Sequence, residues 1–170
     1  MTQKKLNFFE RDKKENQRTQ RTFQPCAELK PIIKGYMVIE CEKGVEIETL
    51  PRTSVSINFI MRGKISLKKE DGGTMDVPKA VALGVTRNTQ CFTFSDQTTL
   101  LIAILQEGAA SCLIKKPIHQ LFERLVDLNE LFGREQICLL DSQLKAQQSD
   151  EGVIQTRRQS FTRILCGLGT

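Results

Sequence analysis

The chain has 170 residues, 39% apolar and 26% charged, with a net charge of +5 at neutral pH. That length suits one domain able to bury a core without disulfide or metal support. The composition excludes a disordered chain, and no apolar run approaches the roughly 18 residues of a membrane span.

Residues 1–25 hold seven bases against three acids, so four of the five net positive charges lie there and the rest is nearly neutral. This Gln/Lys/Arg-rich stretch reads as a polar basic tail, solvated and disordered. Phe8-Phe9 is its only apolar pair, whereas a signal peptide needs a continuous apolar stretch. A cytoplasmic protein is expected.

Residues 26–108 read as β structure. Tyr36-Met37-Val38-Ile39 follows Lys34-Gly35. Val45-Glu46-Ile47-Glu48 alternates apolar and polar, as a half-buried strand does. Leu50-Pro51-Arg52-Thr53 is a break, because proline fixes φ and lacks a donor. Val55 to Met61 alternates again, with Val55, Ile57, Phe59 and Met61 on one face. Ile65-Ser66-Leu67 leads into the hairpin turn Asp71-Gly72-Gly73. Val81 to Val85, Cys91 to Phe94 and the apolar run Leu100 to Leu105 complete the set. Seven or eight short strands at this spacing predict a sandwich or barrel.

Residues 109–170 read as helical. Ala109 to Ile114 suits a short helix, Pro117 the first turn of another, and Leu128 to Phe132 a third, stopped at Gly133. A longer helix places Ile137, Leu140 and Leu144 on one stripe. Ser149-Asp150-Glu151 caps a further helix whose stripe is Ile154, Phe161, Ile164 and Leu165. The two form a helical hairpin. Either it covers the barrel, or one stripe pairs with a second subunit.

Catalytic motifs are missing. There is no Gly-x-Ser-x-Gly and no Gly-rich loop ending in Gly-Lys-Ser/Thr. The sole histidine, His119, falls in the helical stretch, so no multi-histidine metal site can form within one chain. The six cysteines are widely spaced and read as reduced, mostly buried thiols, Cys112 among them. No catalytic residue, metal or cofactor is expected.

Several strings carry a family likeness. Leu29-Lys30-Pro31-Ile32-Ile33-Lys34-Gly35-Tyr36-Met37-Val38 resembles the opening of the amino-terminal domain of AraC-type transcription regulators. Leu50 to Phe59 resembles a second segment of that domain, with Arg52-Thr53 standing where the family has Asp-Gly. Leu83-Gly84-Val85-Thr86-Arg87, Ile102 to Ala109, and Lys116 to Gly133 resemble three further segments in the same order. The resemblance implies an α+β fold: a cupin-like antiparallel β-barrel or sandwich, then short helices and the C-terminal helical hairpin.

In such regulators the barrel senses an effector and the helices dimerise. A homodimer is therefore expected through Ile137, Leu140, Leu144, Ile154, Phe161, Ile164 and Leu165. The effector is a small molecule or a protein. A helix-turn-helix domain of roughly a hundred residues normally follows. This sequence stops at Leu168-Gly169-Thr170, either as a shortened protein or as a natural short form. DNA contact is expected only through that missing half. The alternative is a free-standing cupin-like binding module without a transcriptional role. A further reading has the module forming mixed dimers with a full-length relative.

A ligand inside the barrel needs inward polar groups among apolar walls. The candidates are Phe59, Met61, Arg87, Gln90, Phe92, Phe94 and Gln106. Asn58 and Phe59 point to opposite faces, and the face bearing Phe59 is taken as inward. A barrel packed solid is the alternative.

Overall fold

A computed structural model describes residues 18–114 and 117–146. Among these the strands are β1 (Arg18–Phe23), β2 (Ile33–Cys41), β3 (Val45–Thr49), β4 (Ser56–Arg62) and β5 (Ile65–Lys68). They continue with β6 (Thr74–Asp76), β7 (Ala80–Leu83), β8 (Gln90–Phe94), β9 (Thr98–Leu105) and β10 (Leu125–Asp127). The helices are α1 (Ala109–Leu113), α2 (Leu128–Phe132) and α3 (Arg134–Ala146), with 3-10 turns at Ala27–Leu29 and Ile118–Leu121.

The strands form two antiparallel sheets, in the orders β1-β2-β9-β4-β7-β10 and β3-β8-β5-β6. Pairing is nested: β2 with β9, β3 with β8, β4 with β7, and β5 with β6. A folded ribbon of nested pairs, alternating between two sheets, is the jelly roll used by cupins. The fold is therefore a mostly-β, cupin-type sandwich.

The innermost pair turns at Asp71-Gly72-Gly73, as its residues predict. Gly72 has φ +84°, Asp71 accepts from the Gly73 N–H, and Lys69 N–H donates to the Gly73 carbonyl at 2.7 Å. Glycine reaches that φ without the Cβ clash other residues suffer.

Two apolar layers hold the molecule together. One lies between the sheets and includes Met37, Ile39, Ile47, Phe92, Phe94, Ile102 and Ile104. The other lies on the far face of the six-stranded sheet. There Ile33, Ile57, Phe59, Ala82, Ala103 and Leu105 meet Leu113, Ile114, Leu121, Leu128, Ile137 and Leu140. The six-stranded sheet is thus buried on both faces. The four-stranded sheet turns one face to water, which is why β3 alternates strictly while β4 starts with five consecutive buried residues.

Four expectations change. The polar tail was drawn to residue 25, but Arg18–Phe23 is a strand in register with β2. Its backbone ladder does not need an apolar alternation. Phe23 packs against the outer layer, and Arg21 pairs with Glu40 at 2.6 Å. The β region was drawn to residue 108, but Leu125–Asp127 returns to pair with β7. Ile137 and Leu140, assigned to a dimer interface, fill the chain's own core because α3 lies on the outer layer. Leu139, not on the expected stripe, is 63% exposed. Of the five described cysteines only Cys41 is buried; Cys112, expected inside, is exposed on α1.

The first helix of the expected hairpin is α3, which contains Leu144. The second, with Ile154, Phe161, Ile164 and Leu165, lies outside the described residues. So do residues 1–17 of the tail. Among the described residues no helix is long and apolar enough to cross a membrane.

Candidate ligand site at the polar end of the sandwich

One end of the sandwich interior is polar. There β3 ends, β4 and β8 begin, and the break at Leu50–Thr53 crosses between sheets. A cavity of about 40 Å³ opens among Thr49, Arg52, Ser56, Asn58, Ile60, Val81, Leu83, Phe92 and Ile102. That volume admits a few waters or the head of a small ligand. Beyond it a cleft of about 600 Å³ is lined by Lys68, Lys69, Thr86, Asn88, Gln90, Cys91 and Glu123. This is the size of a small-molecule pocket.

Arg52 lines the cavity, and the two residues it contacts, Thr86 and Gln90, line the cleft. Proline at 51 ends β3's extension, and Arg52 then forms an isolated antiparallel bridge with Thr86. Each backbone N–H donates to the other's carbonyl, at 3.0 and 3.1 Å. Directly opposed residues of an antiparallel pair carry their side chains on one face. The Arg52 side chain turns inward and is 6% exposed. Its Nη2 donates to Gln90 Oε1 at 2.7 Å. Among the described residues, Arg52 Nε and Thr86 Oγ1 have no hydrogen-bond partner. Deeper in, Asn58 Nδ2 donates to Ser56 Oγ at 3.1 Å, and Thr49 Oγ1 donates to the Gln90 carbonyl at 3.2 Å.

The electrostatics of Arg52 are those of an uncompensated buried cation. Desolvation pushes its pKa down to about 10, so it remains charged at neutral pH. At about 1.4 kcal/mol per pKa unit, the burden on the fold is about 3 kcal/mol. The unfolded chain holds its proton to higher pH than the folded one, so the burden is full below about pH 10 and eases as pH rises above it. A buried ion is ordinarily paired or hydrogen-bonded on every side. Here, among the described residues, one neutral amide accepts from the side chain.

The cavity does not fit a metal ion. Its donors are two hydroxyls, one amide and a guanidinium, with no imidazole, thiolate or carboxylate on the wall. Among the described residues no three His, Cys, Asp or Glu side chains gather as ligands.

The cleft thiol is held protonated. Burial raises the pKa of Cys91, and Glu46 and Glu48 add to the rise against the opposing pull of Lys68. Alkylation by iodoacetamide at pH 8 is expected to be several-fold slower at Cys91 than at exposed Cys26. Peptide mapping of partly alkylated protein reads the ratio. Cys91 labelling first would contradict this electrostatic assignment.

Sequence reasoning placed some of these residues and missed others. Gln90 lies in the cleft and holds Arg52; Phe92 and Phe94 wall the interior. The parity taken for β4 is reversed. Ser56, Asn58 and Ile60 line the cavity, while Phe59 and Met61 pack in the layer beneath the helices. Arg87 is exposed, with its guanidinium 5.2 Å from the centroid of the Phe122 ring. Gln106 lies away from the cavity and donates to the Lys30 carbonyl at 2.9 Å. Thr49, Arg52, Ser56 and Thr86 were not anticipated. The available signal was a charged residue beside Pro51 in a break between strands.

The model of a family described as a domain of unknown function (DUF6597) matches residues 21–127. No curated protein matches the sequence. Similar solved structures include the Cupin_2 domain of an XRE family transcriptional regulator from Enterobacter cloacae, 10% identical, over 52% of this chain and 95% of that one, with TM-score 0.36. Ectoine synthase from P. lautus is 10% identical over 53% and 64% of the two chains, with TM-score 0.39. KdgF from Halomonas sp. is 12% identical over 58% and 94%, with TM-score 0.39. The fold assignment rests on the strand order itself.

Proposed function

From the premise that the chain belongs to the DUF6597 family, we propose that it is the effector-sensing and dimerisation part of a cytoplasmic, AraC-type transcription regulator. The observation that carries this reading is the double use of the six-stranded sheet. One face of β4 presents Ser56 and Asn58 to the cavity; the other packs Ile57 and Phe59 beneath the helical layer. A ligand that prefers one arrangement of the polar end therefore biases the packing of the helices. Coupling needs only a difference in affinity between two states. Dimerisation is assigned to the outer face of α3, where Leu139 is exposed. DNA contact is assigned to a helix-turn-helix half outside these residues.

A thermal-shift screen of common metabolites tests the sensing part, because a ligand of the folded state raises the melting temperature. At least one small molecule is expected to do so at millimolar concentration or below. Light scattering with and without that compound tests the second part. A dimer whose dissociation constant moves with the ligand is expected. A monomer at high micromolar concentration under both conditions would remove the dimerisation assignment.

A further inference from the structure

Arg52 narrows the chemistry of the ligand. Arg52 is 6% exposed, its Nε has no partner among the described residues, and the Thr86 hydroxyl on the same face of the bridge has none either. Two unsatisfied donors beside a buried positive charge describe a receptor for a negative acceptor. The guanidinium is a planar fork that matches a carboxylate better than a spherical ion. The space beside it is about 40 Å³, which suits a three-atom head group. The adjoining cleft carries Lys68 and Lys69 against Glu70, Asp71 and Glu123, so it offers no excess positive charge for a dianion. The inner wall is apolar at Ile60, Val81, Leu83 and Phe92.

We infer that the ligand is a small organic monocarboxylate, its head group accepting from Arg52 and Thr86 and its remainder occupying the cleft above. This rests on the sensing role proposed for the same site and names its ligand class. The buried charge is then compensated when the ligand is bound and uncompensated when it leaves. That difference couples occupancy to stability.

The test uses the whole chain and a panel of straight-chain, branched, aromatic and hydroxy monocarboxylates. Each is measured beside its primary amide, with inorganic phosphate as a separate arm. At about 10 mM, at least one carboxylate is expected to raise the melting temperature by about 3–6 °C, and its amide by less than about 1 °C. Arg52→Met is expected to abolish the shift without lowering the melting temperature of the unliganded protein. A purely structural arginine would lower it. Thr86→Val, which keeps size and shape, is expected to weaken carboxylate binding about tenfold, the loss of one hydrogen bond to a charged group. Amides that act as well as acids would overturn the carboxylate inference while leaving the sensing role intact, as would a neutral metabolite from the wider screen. Phosphate acting alone would also overturn it. Silence of every compound in both screens would remove the inference and the sensing role together.

Discussion

Gly84→Ala is expected to cost about 3 kcal/mol or more and to detach β10 from the edge of the six-stranded sheet. Gly84 follows β7, and its N–H donates to the Arg124 carbonyl at 3.1 Å. An added Cβ would lie 1.4 Å from the Leu121 carbonyl oxygen and 2.4 Å from its carbon. Both are backbone atoms, so no rotamer change relieves the clash. Leu121 cannot retreat easily either, because its side chain is 1% exposed in the outer layer. Relief requires the Ile118–Leu121 turn to lift, which pulls Leu121 from the core and strains the pairing of Leu125 with Leu83. Urea denaturation reads the loss. Gly72→Ala is the control, since nothing lies within 4 Å of its added Cβ and only its positive φ resists substitution. That variant is expected to lose about 1 kcal/mol. Equal midpoints for the two variants would refute the close approach at Gly84.

Phe59→Ala is the second large effect, at about 3–5 kcal/mol. Phe59 is 3% exposed and belongs to the layer between the six-stranded sheet and the helices. Its removal leaves a void beneath that layer, which packing around Leu121, Leu128 and Leu140 cannot fill without moving helices. Its neighbour Asn58 faces the other way and lines the cavity. The variant is therefore expected to lose stability yet keep its ligand-induced shift in melting temperature. Measured with a carboxylate that stabilises the parent protein, a shift that vanishes while the fold survives would place Phe59 on the ligand side and undo the two-face description of β4.

Phe59 also marks the limit of what alternation reveals. In β3 every second residue meets water, so Val45, Ile47 and their polar neighbours declare which face is buried. In β4 both faces are covered, one by a sheet and one by helices. Val55, Ile57 and Phe59 then look like an inward stripe although the cavity lies on the other side. Polar residues at Ser56 and Asn58 are tolerated inside because they bond to each other. The apolar set was legible there, but its direction was not.

Local chemistry along the chain determined much about this protein. Alternation in β3 and β4 and short apolar runs between turn signals placed most of the central strands, Asp71-Gly72-Gly73 set the innermost hairpin, and apolar spacing after Gly108 marked the short helices and α3. These features depend on a residue and its near neighbours in the chain, which is all that periodicity and turn propensity sample. Tertiary structure decided the rest. β1 and β10 are strands because β2 and β7 offer them a backbone ladder, not because their own residues insist on it. Arg52, Thr86 and Gln90 meet only because the nested pairing of the jelly roll brings the break after β3 alongside the entry to β8. Whether a polar group is a solvated surface residue or an unpaired buried one depends on what the fold places around it, and that information is spread across distant segments.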